Sequence, residues 1–192
     1  MSSGKSLERS QAQRWNSGIV SLLDPGHYTA VEGIWDELER ELGLHGVKVT
    51  PWPNISYQLG DYDLEILPGI LEKLAGATSR FEIETTGLGV FSGPQPVLYV
   101  PVVRTTELSE FQRLLWTAVG TACRNASDDY WVSNWMPHVT LAAGDLDASN
   151  VADAIKLLSA RRFDWRMTID NLAYIDAGYE GQELRLRYDL AA

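Results

Sequence analysis

The strongest constraint on how this chain can fold is a repeat. Trp135-Met136-Pro137-His138-Val139-Thr140-Leu141 has a partner upstream in Trp52-Pro53-Asn54-Ile55-Ser56-Tyr57, where Pro53 matches Pro137, Asn54 matches His138 and Ser56 matches Thr140. The copies lie 84 residues apart (138 − 54), and Gly60-Asp61 matches Gly144-Asp145 at the same offset. Leu172-Ala173-Tyr174-Ile175 likewise falls in frame with Leu88-Gly89-Val90-Phe91. Such self-similarity is the mark of one supersecondary unit built twice.

Hydrophobic periodicity agrees. The run Gly18 to Leu23, stopped by Asp24-Pro25-Gly26, reads as a buried strand and a turn. The spacing of Val31, Ile34, Trp35, Leu38 and Leu42 predicts a helix over 27–43, closed by Gly43 and Gly46. A motif strand over 53–59, a helix over 64–75 and an alternating strand from Phe81 complete the first half. The second half replays it. Val97 to Val103 is a strand that Pro101 marks as edge or bulged. A helix over 107–124, the His138 strand, a helix over 148–159 and a closing strand, Glu183 to Tyr188, follow. The expected fold class is α+β, with two pseudo-symmetric lobes, each of strands plus two helices, around a central cleft. Residues 1–16, polar and without an apolar face, are expected to form a flexible tail before a single bilobal domain at 17–192. The lobes are placed at about 17–95 and 96–192, the terminal strands being free to cross over.

Charge narrows the partners. With 26 acidic against 16 basic residues the formal net charge is −10, which repels a long polyanion but leaves a small nucleotide in a local cleft open. One cysteine, Cys123, excludes an intramolecular disulfide and a cysteine-based zinc site. No apolar run approaches the ~20 residues of a membrane span, and no signal-peptide core is present, so no membrane partner and a cytoplasmic location are expected. Oligomeric state is not legible.

Side chains alternate along a strand, so His138 and Thr140 point one way, and Asn54 and Ser56 do likewise in their own copy. If the two lobes face each other, these four converge on one cleft. The hydroxyls and the amide can bond phosphate oxygens, and a histidine near neutral pH can move a proton. Here the chain resembles the 2H phosphoesterase superfamily, which includes the 2′-5′ RNA ligase-like proteins and cyclic phosphodiesterases. The resemblance spans roughly 18–190 and rests on Pro137-His138-Val139-Thr140-Leu141, its partner frame and the repeated element order. In that family each lobe supplies a His-x-Thr/Ser; one histidine is a general base, the other a general acid, and no metal is needed. The resemblance therefore implies His138 as the catalytic residue, phosphate contacts from Thr140, Ser56 and Asn54, and no cofactor or metal. Asn54 departs from the pattern, because a carboxamide does not titrate near pH 7.

Three readings stay open at this level: a phosphoesterase acting weakly on 2′,3′-cyclic or 2′-5′ phosphodiesters with His138 as its sole motif histidine, a non-catalytic nucleotide or phosphate-binding module, and an interaction protein with a vestigial cleft. The expected ligand is a small nucleotide or short RNA end. Tyr57, His45 and His27 are candidate second acid–base partners, although Tyr57 alternates away from Ser56. Trp52, Tyr130 and Trp135 precede the motif strands and are candidates for base stacking. Among Arg104, Arg161, Arg162, Arg166, Arg185 and Arg187, one or two are candidates for phosphate contact and the rest for surface ion pairs.

Overall fold

The computed structural model describes residues 17–178 and 181–192, so the tail expected over 1–16 lies outside it. Strand β1 (Gly18–Leu22) leads into helix α1 (Pro25–Leu42). Asp24 caps α1 by accepting from the His27 amide, Pro25 sits in the first turn, and Gly43 closes it with φ 71°. After a 3-10 turn (Gly46–Val49) come β2 (Asn54–Leu59), β3 (Asp61–Tyr62), α2 (Leu67–Gly76), β4 (Phe81–Glu84), β5 (Gly89–Phe91) and β6 (Val97–Pro101). Helix α3 (Thr106–Val119), capped by Thr105, precedes β7 (Cys123–Arg124) and a second 3-10 turn (Asp128–Tyr130). The chain ends with β8 (His138–Ala142), α4 (Val151–Leu158), β9 (Arg166–Ile169), β10 (Asn171–Gly178) and β11 (Gly181–Asp189). This is the expected α+β fold. Among the described residues no helix is long and apolar enough to cross a membrane.

The duplication holds residue by residue. Strands β10-β1-β2 form one antiparallel ladder, extended by β11 at the edge beyond β10, and β5-β6-β8 form its counterpart. Gly89↔Tyr99, Val90↔Leu98 and Phe91↔Val97 correspond to Ala173↔Val20, Tyr174↔Ile19 and Ile175↔Gly18. Tyr99↔Thr140 and Pro101↔His138 correspond to Val20↔Ser56 and Leu22↔Asn54. Even the register shift recurs, between Ile19 and Val20 in one ladder and between Leu98 and Tyr99 in the other. Strand β6 is therefore central rather than an edge, and Pro101 is tolerated at its very end.

The sheets do not follow the sequence halves. The Asn54 sheet takes its first strands from 18–59 and its last from 171–189, while β4 pairs with β9 from Phe81↔Ile169 to Glu84↔Arg166. Helices cross over as well. Helix α1 packs on β8, and the Trp35 indole donates to the Thr140 carbonyl at 3.2 Å. Helix α3 packs on β2, and the Trp116 indole donates to the Tyr57 carbonyl at 3.1 Å. Each helix thus buries its apolar face, Val31, Ile34, Trp35 and Leu38 in α1, Leu108, Phe111 and Leu115 in α3, against the motif strand of the other copy. One buried apolar cluster joins both sheets and their helices.

Candidate active site

Between the two motif strands lies a cleft of about 700 Å³. The alternation that buries Val139, Leu141, Ile55 and Tyr57 turns the intervening polar side chains outward, and Asn54, Ser56, His138 and Thr140 all line this one cleft. The convergence expected from the repeat is present.

The two half-sites are held by the same device. The Nδ1–H of His138 donates to the Met136 carbonyl at 2.7 Å, two residues back along the strand. Asn54 Nδ2 donates to the Trp52 carbonyl at 2.5 Å, again two residues back. A carbonyl can only accept, so the first bond fixes the imidazole tautomer with its proton on Nδ1 and leaves the Nε2 lone pair as the ring's acceptor. Burial holds His138 below its ordinary value of 6.5, against the bond to Met136, which favours the charged form. At neutral pH it is an uncharged base.

Asn54 has no such free atom. Its amide nitrogen is taken by Trp52, and its Oδ1 accepts the Ser56 hydroxyl at 2.9 Å. The Asn54–Ser56 pair is closed on itself until a ligand offers Ser56 a better acceptor.

The walls differ too. Phe91 and Tyr99 stack at 4.1 Å, and the His138 ring meets Phe91 edge-on at 5.0 Å and Tyr99 at 5.2 Å. At the matching positions in the Asn54 sheet stand Ile175 and Val20, both lining the same cleft. The aromatic wall escaped the sequence reading because Tyr99 lies within a run that reads simply as buried strand. The in-frame match of Phe91 with Ile175 was the available signal.

Trp52 is half-buried, lines the cleft and donates from its indole to the Gln182 carbonyl at 3.4 Å. Tyr130 also lines the cleft; its backbone carbonyl accepts from Gln112 Nε2 at 2.9 Å, and its hydroxyl is within hydrogen-bonding reach of Ser56. Trp135 corrects the sequence reading. It lines the cleft, but at only 2% exposed it donates from its indole to the Ser56 carbonyl at 2.8 Å and packs against Tyr57, so its chief role is to brace the strand.

The other candidates fall away from the cleft. Tyr57 is fully buried and donates to Ser21 Oγ at 2.9 Å. His27 is bonded to Asp24 beside the start of α1, and His45 bonds the Gly43 carbonyl on the surface. The arginines are engaged elsewhere: Arg161 with Glu37, Arg162 with Asp164, Arg166 with Glu84, Arg185 with Glu183 and Arg187 with Asp189. Arg104 donates to the Trp135 carbonyl at 3.0 Å and lies over the Trp135 ring. Among the described residues no Lys or Arg lines the cleft, and the acidic member of its wall is Asp129.

Comparison with known proteins agrees with this architecture. The family model of the 2'-5' RNA ligase superfamily matches residues 51–178. No curated protein matches the chain. Among solved structures, TT0787 of Thermus thermophilus superposes with a TM-score of 0.63 at 16% identity, covering 91% of this chain and 97% of that one. Escherichia coli LigT complexed with 3'-AMP gives 0.58 at 13% identity, over 93% of this chain and 99% of its own. LigT complexed with NADP+ gives 0.56 at 12% identity, over the same shares. These likenesses establish the fold, and the family match, which spans both motif strands, establishes the lineage: the chain belongs to the 2'-5' RNA ligase superfamily, within the 2H phosphoesterases.

Proposed function

We propose that the cleft binds a nucleotide or short RNA end through a phosphodiester and hydrolyses 2′,3′-cyclic or 2′-5′ linkages slowly, with His138 as its motif histidine. The observation that carries this reading is the His138–Met136 bond, which leaves Nε2 as an uncharged acceptor on a ring that lines the same cleft as Thr140, Ser56 and Asn54. In the proposed step, Nε2 takes a proton from water as its oxygen bonds to phosphorus and the bond to a ribose oxygen breaks. Thr140 and Ser56 donate to the non-bridging oxygens, Ser56 exchanging Asn54 Oδ1 for phosphate. Trp52 offers a face for a base, worth ~1–3 kcal/mol where stacking occurs. LigT has been crystallised with 3'-AMP, NADP+ and ATP, which supports a small nucleotide as ligand here.

The test is release of nucleoside monophosphate from 2′,3′-cyclic nucleotides by the native protein and by His138→Ala. Equal rates would remove the enzymatic reading. A non-catalytic binding module is the second reading, favoured by the closed Asn54–Ser56 pair. It expects saturable binding, weakened by Thr140→Val, with no product at long incubation.

A further inference from the structure

The half-site opposite His138 lacks an imidazole, yet a departing ribose oxygen there needs a proton. Asn54 cannot supply one, since a carboxamide does not give up a proton near neutral pH, and one of its amide N–H groups and its oxygen are already bonded to Trp52 and Ser56. Tyr130 brings a proton-bearing side chain to this half-site. Tyr130 sits on the 3-10 turn Asp128–Tyr130, which packs against β2, and its hydroxyl faces Ser56. The turn is pinned by Tyr130 N–H donating to the Ser127 carbonyl at 3.1 Å and by Gln112, itself fully buried in α3, donating to the Tyr130 carbonyl. The 3-10 turn on the other side, Gly46–Val49, packs on β8 and contributes Val47 and Val49 to the cleft, and the hydroxyl of Thr50 at its end donates to the Val47 carbonyl, so no phenol stands on that turn.

Resting on the phosphodiesterase reading above, we infer that Tyr130 is a catalytic residue, the proton donor to the leaving ribose oxygen. Ser56 gives its own proton to Asn54 Oδ1, which leaves its oxygen free to accept, and the Tyr130 hydroxyl stands beside it. When substrate enters, Ser56 turns to phosphate and the phenolic proton turns to the bridging oxygen. The water oxygen bonds to phosphorus, the phosphorus–ribose oxygen bond breaks, His138 Nε2 takes the water proton and the ribose oxygen takes the proton of Tyr130. The imidazolium then loses its proton to solvent and the phenolate regains one, so one water is consumed and both side chains return to their starting state. Burial, aided by the Asp129 carboxylate, pushes the phenol up to about 12. Such an acid stays protonated through neutral pH and yields its proton only to a strongly basic oxygen, such as a departing alkoxide.

Two diesters separate this role from a structural one. A 2′,3′-cyclic nucleotide expels an alkoxide that needs a proton, whereas bis(p-nitrophenyl) phosphate expels a stable phenolate that does not. Tyr130→Phe, which keeps the ring, is expected to lose ~10²-fold or more on the cyclic nucleotide and little on the aryl diester. Equal losses on both, or none on either, overturn the assignment and leave the phosphodiesterase reading standing. Failure of the native protein to turn over either diester removes that reading, and the role of Tyr130 with it. Should Tyr130→Phe not fold, a proton inventory of the native protein decides: two protons in flight for the cyclic nucleotide and one for the aryl diester support the assignment, and one for both overturns it.

Discussion

The two half-sites share a backbone and differ in chemistry. Strand pairing, the register shift and the bond from the motif side chain to the carbonyl two residues back are common to both. On one side an imidazole stands against Phe91 and Tyr99; on the other a carboxamide is tied to Ser56, and Val20 and Ile175 hold the positions equivalent to Tyr99 and Phe91. The amide reproduces the anchoring bond of the histidine without its free nitrogen. A duplicated scaffold can therefore keep the position of a motif residue while its proton-transfer role passes to, or fails to pass to, a neighbour.

The largest effect that sharpens this contrast is expected at the titrating side. His138→Ala should lower turnover of 2′,3′-cyclic nucleotides by ~10²–10⁴-fold, the usual worth of a general base. Asn54→His tests the other side. The Trp52 carbonyl stands ready to fix an imidazole there as Met136 fixes His138, so a gain of about 10²-fold is expected in the same assay. No gain would show that the aliphatic wall cannot hold a working histidine.

The pH profile comes next. With His138 held below 6.5 by burial, kcat/KM should rise with an apparent pKa below 6.5 and be flat through neutrality. The same depression links folding to pH. Its contribution to stability is fully present above the unfolded value and is lost as pH falls through the folded one, so the thermal midpoint of the native protein should drop more steeply below pH 6.5 than that of a His138→Gln variant.

Smaller effects are expected from the walls. A Cβ at Gly89 would lie 2.5 Å from the Tyr99 ring, whereas the equivalent Ala173 is accommodated opposite Val20. Gly89→Ala should cost about 1–3 kcal/mol in denaturant unfolding and shift the acid limb of the pH profile as Tyr99 moves off His138. Ala173→Gly should cost only about 0.5–1 kcal/mol and leave the limb in place. Trp135→Phe, which removes the indole donor from the Ser56 carbonyl, should cost about 1–3 kcal/mol of stability.

The location of the site was legible because it depends on period: a strand alternates, so a repeated Pro-polar-apolar-hydroxyl frame places its polar members together wherever two strands face one another. The turning of Tyr57 away from the cleft was legible for the same reason. What the sequence could not show depends on contacts between distant residues. Trp135 looks from its position like a cleft-mouth aromatic, and only the Ser56 carbonyl, 79 residues away, makes it a brace. The arginines look available until their acidic partners, such as Glu37 for Arg161, are placed in space. Tyr130 read as a stacking residue because a hydroxyl's neighbour on another strand leaves no local pattern. Helix ends shifted modestly, α3 stopping at Val119 rather than 124, because Gly120 follows its last apolar contact.

The exchange of strands and helices between the copies also fixes the order in which the protein can be completed. Gly18 pairs with Ile175, so β1 waits beside β2 until the chain has been synthesised past residue 175 before its second edge is filled. Contacts of that sequence separation slow folding, and they deny independence to either duplicate. A ribosome-bound fragment ending near residue 95 would hold Asn54 and Ser56 on a sheet without β10 and β11, and α1 without the β8 strand it covers. Duplication here has made two copies that cannot be separated again.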